Sequence, residues 1–154
     1  AIDGSMNIVQ VQHLWYTSVF HNSNATGMTD ITSFNKSITM KFTGGKVLVH
    51  IQFTGLLNCD GCLSFKRDGT VQENHFLGTE RQHGNSSSSS SNHHDSATYS
   101  GFFLDNVNSN AGTTHSYQVC AKATGCGHDV WINRSPGNSN QNGRSSITLF
   151  EVSP

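Results

Sequence analysis

The sequence predicts an all-β protein, namely an antiparallel β-sandwich or jelly roll of about eight strands. Three observations lead to this fold class. Apolar residues recur at every second position in many short segments, which is typical of strands with one buried face. Clusters of Gly, Asn, Asp and Ser separate these segments, as turns do. Nowhere do apolar residues repeat at a spacing of three to four for long enough to predict a helix of three turns.

The length predicts one domain. A chain of 154 residues is long enough for a single hydrophobic core and short for two. We assign residues 7–154 to one β-sandwich domain and interpret residues 1–6, AIDGSM, as a linker or as residues left from expression. No apolar run approaches the roughly 20 residues that a membrane-spanning helix needs, so membrane insertion is not expected.

The C-terminal run from His115 to Val152 shows the alternation most clearly. We predict two strands around a turn at Thr124-Gly125, a polar excursion, and a strand that closes the chain. The residues predicted to share the buried faces of these strands are Tyr117, Val119, Ala121, Val130, Ile132, Ile147 and Leu149.

The earlier strands follow the same pattern. A strand begins near Ile8, and a hairpin turns at Gly44-Gly45. A short strand ends at the Asp68-Gly69 turn, and strand character returns over residues 98–104. The predicted core positions of these strands are Ile38, Met40, Phe42, Val47, Val49, Ile51, Phe53, Leu63, Phe65, Phe102 and Leu104.

Composition restricts the function classes. Charged residues make up only 12% of the chain and the net charge is −1, so no basic field favours nucleic acid or an anionic membrane. The many Ser, Thr, Asn and Gly residues suit an extracellular or virion-surface protein.

A long polar segment interrupts the strands at residues 80–97, ERQHGNSSSSSSNHHDSA. Six consecutive Ser residues have no apolar face to bury, so we predict a loop. Long loops in compact domains are usually functional or disordered. We therefore expect the segment from Arg81 to Thr98 to contact a receptor, with residues 137–143 second. The candidate contact residues are Arg81, His83, Asn85, Asn92, His93, His94, Asp95 and Tyr99.

Several motifs occur in a fixed order along these segments. They are MTDITSFNKSITMKF, TGGKVLVHIQF, LSFKRDGT, SGFFLDNVNSNAGTTHSYQV and VWINRSPGNSNQNGRSSITLFEV. In this order they resemble the distal, receptor-binding β domain of bacteriophage tail-fibre proteins of the marine and cyanobacterial phage type. The resemblance runs from about Ile8 to the C-terminus and departs from the family at Asn106-Val107, where Ser-Pro is more usual.

Such domains are generally all-β, homotrimeric and non-enzymatic, and they present loops to the host from the end of a shaft. The resemblance therefore implies an extracellular fibre-tip domain of a virion. It implies an intertwined or tightly packed homotrimer that joins the rest of the fibre or virion and binds a host-surface glycan or protein during attachment.

Two aromatic residues favour a trimer independently of the resemblance. Trp131 and Phe103 fall on the opposite face from Val130, Ile132 and the other predicted core residues of their strands. A large aromatic side chain on the nominally polar face needs burial by something else. We assign Trp131 and Phe103 to a subunit interface. Strands covered on both sides within one subunit, or a ligand platform, are the alternatives.

The four cysteines admit several interpretations. Cys59 and Cys62 have CxxC spacing, and Cys120 and Cys126 are separated by five residues. Local disulfides Cys59–Cys62 and Cys120–Cys126 are favoured. A zinc site of four thiolates, a long-range pairing and plain thiols stay open. Redox activity is disfavoured, because a turn and a strand follow the CxxC where a helix would be needed.

No cofactor is expected, although His93 and His94 could bind a divalent metal. Neighbouring residues of an extended chain point to opposite sides, however, so both imidazoles face one ion only if the chain bends. We interpret His50, His115 and His128 as hydrogen-bonded strand or turn residues. No nucleophile–base spacing stands out, so no enzymatic activity is predicted. The alternative functions are a structural head-fibre or capsid-decoration protein without a receptor site, and a secreted trimeric jelly-roll module of the complement-head or cytokine kind.

Overall fold

A computed structural model describes residues 7–57, 61–72, 76–78, 97–123, 129–134 and 143–154. In these ranges the chain forms strands and no helix, which confirms the all-β prediction. Seven strands have six or more residues, and four are shorter. The strands are β1 (Ile8–Tyr16), β2 (Phe20–Asn22), β3 (Thr29–Thr39), β4 (Lys46–Leu57), β5 (Cys62–Arg67), β6 (Thr70–Val71), β7 (Leu77–Gly78), β8 (Ala97–Asp105), β9 (Thr114–Lys122), β10 (Val130–Ile132) and β11 (Ser145–Val152).

The strands form two antiparallel sheets. Sheet A has the order β1-β11-β4-β10-β2. β11 and β10 pair with successive parts of one edge of β4, and β8 pairs with its opposite edge. Sheet B has the order β3-β9-β5-β6, and β7 also pairs with β5. The long-range pairs are nested along the chain: β1 pairs with β11, β3 with β9, and β4 with β8. Inside them, β5 pairs with β6 and β7.

One core fills the space between the two sheets. It includes Val49 and Ile51 of sheet A and Phe65 and Tyr117 of sheet B, each fully buried. The alternation predicted for β4 is confirmed, because Val47, Val49, Ile51 and Phe53 are buried while the residues between them are partly exposed. The core residues predicted for β9, β10 and β11 are also buried, although in β11 the residues between them, Ser146 and Thr148, are buried as well.

The predicted burial of Phe42 is wrong. β3 ends at Thr39, so the chain has already left the sheet when it reaches Phe42, whose side chain is 45% exposed. Met40 is still buried, because it stands directly after the strand.

The faces of β8 are the reverse of the prediction. Phe102 is 62% exposed and Leu104 is 36% exposed, whereas Phe103 packs against the core and meets Phe65 edge to face. The pairing of β4 with β8 explains the reversal: Phe103 lies opposite the buried Val49, and directly opposed residues project to the same side of a sheet. The predicted outward position of Phe103, which was the reason for assigning it to a subunit interface, is therefore wrong.

The strand pairing shows at which end of the protein each connection lies. The turn over residues 40–45, the Asp68-Gly69 turn and the connection over residues 106–113 lie at one end. Ile8 and Val152 pair with each other at this same end, next to Lys46. The opposite end holds Leu57, Ala97, Lys122 and Val130, as their pairing shows. The segments 58–60, 79–96, 124–128 and 135–142, which lie outside the described residues, connect strand ends located there.

Candidate functional site

The side of sheet A that faces away from the core carries an ordered set of side chains, which we call the outer A face. Strand pairing arranges it in three rows across β1, β11, β4 and β8. The rows are Val11–Phe150–Leu48–Leu104, His13–Thr148–His50–Phe102 and Trp15–Ser146–Gln52–Ser100.

The outer A face is apolar and aromatic to a degree that is unusual for a surface. Besides Phe102 and Leu104, it exposes Trp15 (53%) and Val11 (50%). None of its twelve side chains carries a carboxylate, an ammonium or a guanidinium group. Contiguous apolar surface of this kind marks an interaction site more often than a solvated face.

The outer side of sheet B is different in character. There Lys66 forms an ion pair with Asp30, and Asn35 donates a hydrogen bond to Gln118. The outer side of sheet B therefore has the composition of a solvated surface, whereas the outer A face does not.

Two imidazoles occupy the middle row of the outer A face. His13 Nδ1 lies 2.7 Å from Thr148 Oγ1, and His50 Nε2 lies 2.7 Å from Ser100 Oγ. The His50 ring stacks on Phe102 with 4.2 Å between centroids, and His13 meets Trp15 edge on at 4.9 Å. Burial, and secondly the charge of His13, lower the pKa of His50. The interpretation of His50 as a hydrogen-bonded strand residue is confirmed.

Trp131 extends the same outer side of sheet A toward the opposite end from Val152. It lies between His21 and Leu56 across the strands, and its ring stacks on His21 with 3.6 Å between centroids. The Arg134 guanidinium lies 6.0 Å from the ring centroid. Trp131 Nε1 and Arg134 Nε are both buried and make no hydrogen bond within the described part of the chain. The assignment of Trp131 to a subunit contact stays a prediction.

Asn133 holds this region together. Its Nδ2 donates to the carbonyls of Tyr16 at 2.7 Å and Ser18 at 3.0 Å, and its Oδ1 accepts from Ser145 Oγ at 2.8 Å. Its backbone N–H donates to the Thr54 carbonyl at 2.8 Å. One buried residue therefore joins four separate stretches of sheet A, and it belongs to the INRS motif whose role the sequence left unassigned.

A second polar network lies at the end that holds Ile8 and Val152. His115 Nδ1 lies 2.7 Å from Asp68 Oδ2, and its Nε2 lies 3.0 Å from Ser109 Oγ. Asp68 also accepts from the Ser116 N–H at 2.8 Å. Burial opposes ionisation of Asp68, but the hydrogen bonds from His115 and Ser116 and the charges of His115 and Arg67 together outweigh it and lower the pKa of Asp68. This arrangement ties the β5–β6 turn to the β8–β9 connection and confirms that His115 is a hydrogen-bonded residue.

Most predicted receptor-contact residues lie outside the described part of the chain. Tyr99 is the exception, and it packs against the core with its ring 6.0 Å from that of Phe53. His128 and residues 137–142 are also outside the described ranges. The residues predicted to contact a receptor that are not described are Arg81, His83, Asn85, Asn92, His93, His94 and Asp95.

Cys62 and Cys120 are buried cysteines on the neighbouring strands β5 and β9. Burial raises the pKa of both, that of Cys120 to about 12. Cys59 and Cys126 lie outside the described residues, so the two local disulfides and the zinc site stay predictions. Within the described ranges, no three His, Cys, Asp or Glu residues form a group that could hold a metal ion.

No protein-family model matches this chain, and no curated protein matches it either. No helix among the described residues is long and apolar enough to cross a membrane. The resemblance to phage fibre domains is therefore a hypothesis supported by the motifs alone.

The outer A face was not predicted from the sequence. Val11, His13 and Trp15 alternate with Gln12 and Leu14 in β1, so neither side of the strand reads as purely polar. The only signal in the sequence was that β1 and β8 carry large apolar residues at both odd and even positions, which indicates burial on both faces of these strands.

Proposed function

We propose that this domain is the tip of a viral fibre, a jelly roll that forms a homotrimer through its outer A face and binds a receptor on the host cell surface. The nested pairing of β1 with β11, β3 with β9 and β4 with β8 supports the jelly roll, because a long hairpin wrapped into two sheets pairs its strands in that order. The observation that carries the proposal is the uncharged aromatic outer face of sheet A opposite the ion-paired outer face of sheet B.

A second copy of the chain is the occupant that fits the outer A face. Aromatic side chains have about 150–250 Å² of surface each, so Phe102 and Trp15, more than half exposed, leave roughly 200 Å² between them. Burial at about 25 cal/mol per Å² is worth about 5 kcal/mol. Because the face is uncharged, symmetric copies can approach without like-charge repulsion. The number of subunits, three, is what the resemblance to phage fibre domains implies.

The two ends of the domain suit two roles. Ile8 and Val152 lie at the end with the short turns, so a shaft that precedes residue 7 would join the domain there. The longer connections, among them the serine-rich segment, join strand ends at the opposite end, which would then face the host. Weak contacts in each of three subunits, repeated over several fibres, would add up through avidity.

We propose a non-enzymatic role for the hydrogen-bonded series Asp68–His115–Ser109. Its distances suit a nucleophile and base, but each group also fixes a turn, and His115 is only 8% exposed. Labelling with a fluorophosphonate serine-hydrolase probe tests this role. We expect no labelling of Ser109, and labelling that disappears in Ser109→Ala would show that the domain is a hydrolase.

Sedimentation equilibrium combined with host-cell adsorption tests the proposed function. We expect a trimer that Phe102→Ser dissociates and Phe42→Ser leaves intact, since both remove an exposed Phe but only Phe102 lies on the outer A face. Deleting residues 85–94 should abolish adsorption and leave the trimer in place. A stable monomer would refute the interface. A trimer that does not adsorb to candidate hosts would point to a structural decoration protein.

A further inference from the structure

The outer A face has titratable groups at its centre. His13 and His50 are opposed to the same residue, Thr148, from the strands on either side of β11. Each imidazole is hydrogen-bonded on one ring nitrogen and lies against an aromatic ring. Any partner that covers Phe102 and Trp15 must therefore also cover these two imidazoles.

We propose that protonation of His13 and His50 separates the subunits, so that the assembly is held together at neutral pH and weakened in mildly acidic medium. The inference rests on the proposed self-association through the outer A face. It adds the regulation of that surface, which neither the motifs nor the fold implies.

Among the described residues, no carboxylate lies on the outer A face to compensate the charge of these imidazoles. The outward residues of β11 are Ser146, Thr148 and Phe150, and those of β8 next to His50 are Ser100, Phe102 and Leu104. On β1 the neighbours of His13 are Val11 and Trp15. In the described ranges, alternation along the strands places two further charged residues on this side of the sheet. They are Lys46, two positions before Leu48, and Arg144, two positions before Ser146. Both are cations, so an imidazolium here adds to a like charge.

His21 shows what compensation looks like on the same side of the sheet. Its Nε2 lies 3.0 Å from Asp129 Oδ1, so its protonated form has a counter-ion. A proton on His21 is therefore compatible with burial in a contact, whereas a proton on His13 or His50 is not.

The sign of the effect follows from burial. Burial already lowers the pKa of His50 in the single subunit, and a covering subunit would lower it further. A group whose pKa falls on assembly stabilises the assembly above its pKa in the free subunit, and this contribution is lost as the pH falls below that value. Below that value, each proton that the assembly excludes weakens association about 10-fold per pH unit.

Sedimentation equilibrium at pH 7.5, 6.5 and 5.0 tests the inference, with far-UV circular dichroism at each pH. We expect the wild-type association constant to fall about 10-fold or more between pH 7.5 and 5.0 while the β-sheet spectrum is unchanged. The variant His13→Gln/His50→Gln should associate almost equally at all three values. The matched control His21→Gln should keep the wild-type pH dependence.

The outcomes separate this inference from the proposed function. Association that is equally strong at pH 7.5 and 5.0 would overturn the pH dependence and leave the interface standing. An unchanged pH dependence in His13→Gln/His50→Gln would also overturn it, as would loss of the β-sheet spectrum at pH 5.0. If wild type is monomeric at every pH, the proposed self-association itself fails. The single variants His13→Gln and His50→Gln replace the double variant if the latter does not fold.

Discussion

Replacing Asn133 by Ala should strongly destabilise the protein. The substitution removes the three side-chain hydrogen bonds to Tyr16, Ser18 and Ser145, each worth about 0.5–1.5 kcal/mol. It leaves buried partners without a donor or acceptor, which adds about 1–3 kcal/mol. Asn133 has φ of 60°, a left-handed conformation that costs Ala roughly 1 kcal/mol more. These contributions add up to about 3.5–8.5 kcal/mol, so we expect a loss of at least about 3 kcal/mol in the free energy of unfolding.

Urea unfolding followed by fluorescence measures this loss, since the chain has two Trp residues and one of them, Trp131, lies two residues from the substitution. Protein concentration must be the same for every variant, because association would shift the midpoint. The matched control is Asn35→Ala. Asn35 is exposed and its side chain makes one hydrogen bond, to Gln118 at 3.2 Å, so we expect a change below about 0.5 kcal/mol.

Asn133→Gly separates the two contributions. It keeps the left-handed backbone accessible but removes the same hydrogen bonds, so it should recover only about 1 kcal/mol relative to Ala. A loss below about 1 kcal/mol in Asn133→Ala would refute the reasoning. It would mean that Asn133 is not the residue that joins β1, β4, β10 and β11.

Three further experiments test other parts of the fold. Gly55→Ala should prevent folding, because a Cβ at this position, where φ is 156°, would lie 2.0 Å from the Trp131 carbonyl oxygen; recovery of soluble protein with the native circular dichroism spectrum would contradict this. Cys120 should resist iodoacetamide at pH 8 until the protein unfolds, since burial raises its pKa to about 12; mass spectrometry that finds it alkylated in native protein would be inconsistent with its burial. Asp68→Asn should make stability less sensitive to acid. The lowered pKa of Asp68 stabilises the fold above the ordinary Asp value of about 3.9, and this contribution is lost as the pH falls through the lowered pKa. Thermal unfolding between pH 6 and 2 measures it, and parallel curves for variant and wild type would argue against it.

The alternation of apolar residues was sufficient to predict the strands and their buried faces wherever one face packs and the other is polar. β4 and β9 are of this kind, and their core residues were predicted correctly. The prediction was wrong at β8, where Phe102, Phe103 and Leu104 are all apolar, because alternation cannot say which parity faces inward when both carry large apolar side chains. Only the pairing of Phe103 with Val49 decides it.

The candidate site was even less accessible from the sequence. Its twelve residues come from four strands, and β1 is more than 100 positions from β11 in the chain. Charge and hydropathy are local properties of a sequence, whereas a continuous face depends on which strands become neighbours. The role of Asn133 was missed for the same reason, because it depends on contacts with residues from other strands, among them Tyr16 and Ser145.

The sequence by itself determined that this protein is built from antiparallel strands with a core between apolar faces. Side-chain alternation and turn residues act over a few positions, so these features need no knowledge of distant contacts. Tertiary structure alone decided which strands are neighbours. It therefore decided that the middle row of the outer A face brings His13 and His50 to either side of Thr148, and that Ile8 and Val152 share one end. Register acts between residues far apart in the chain, and a shift of one position would exchange the two faces of every strand involved.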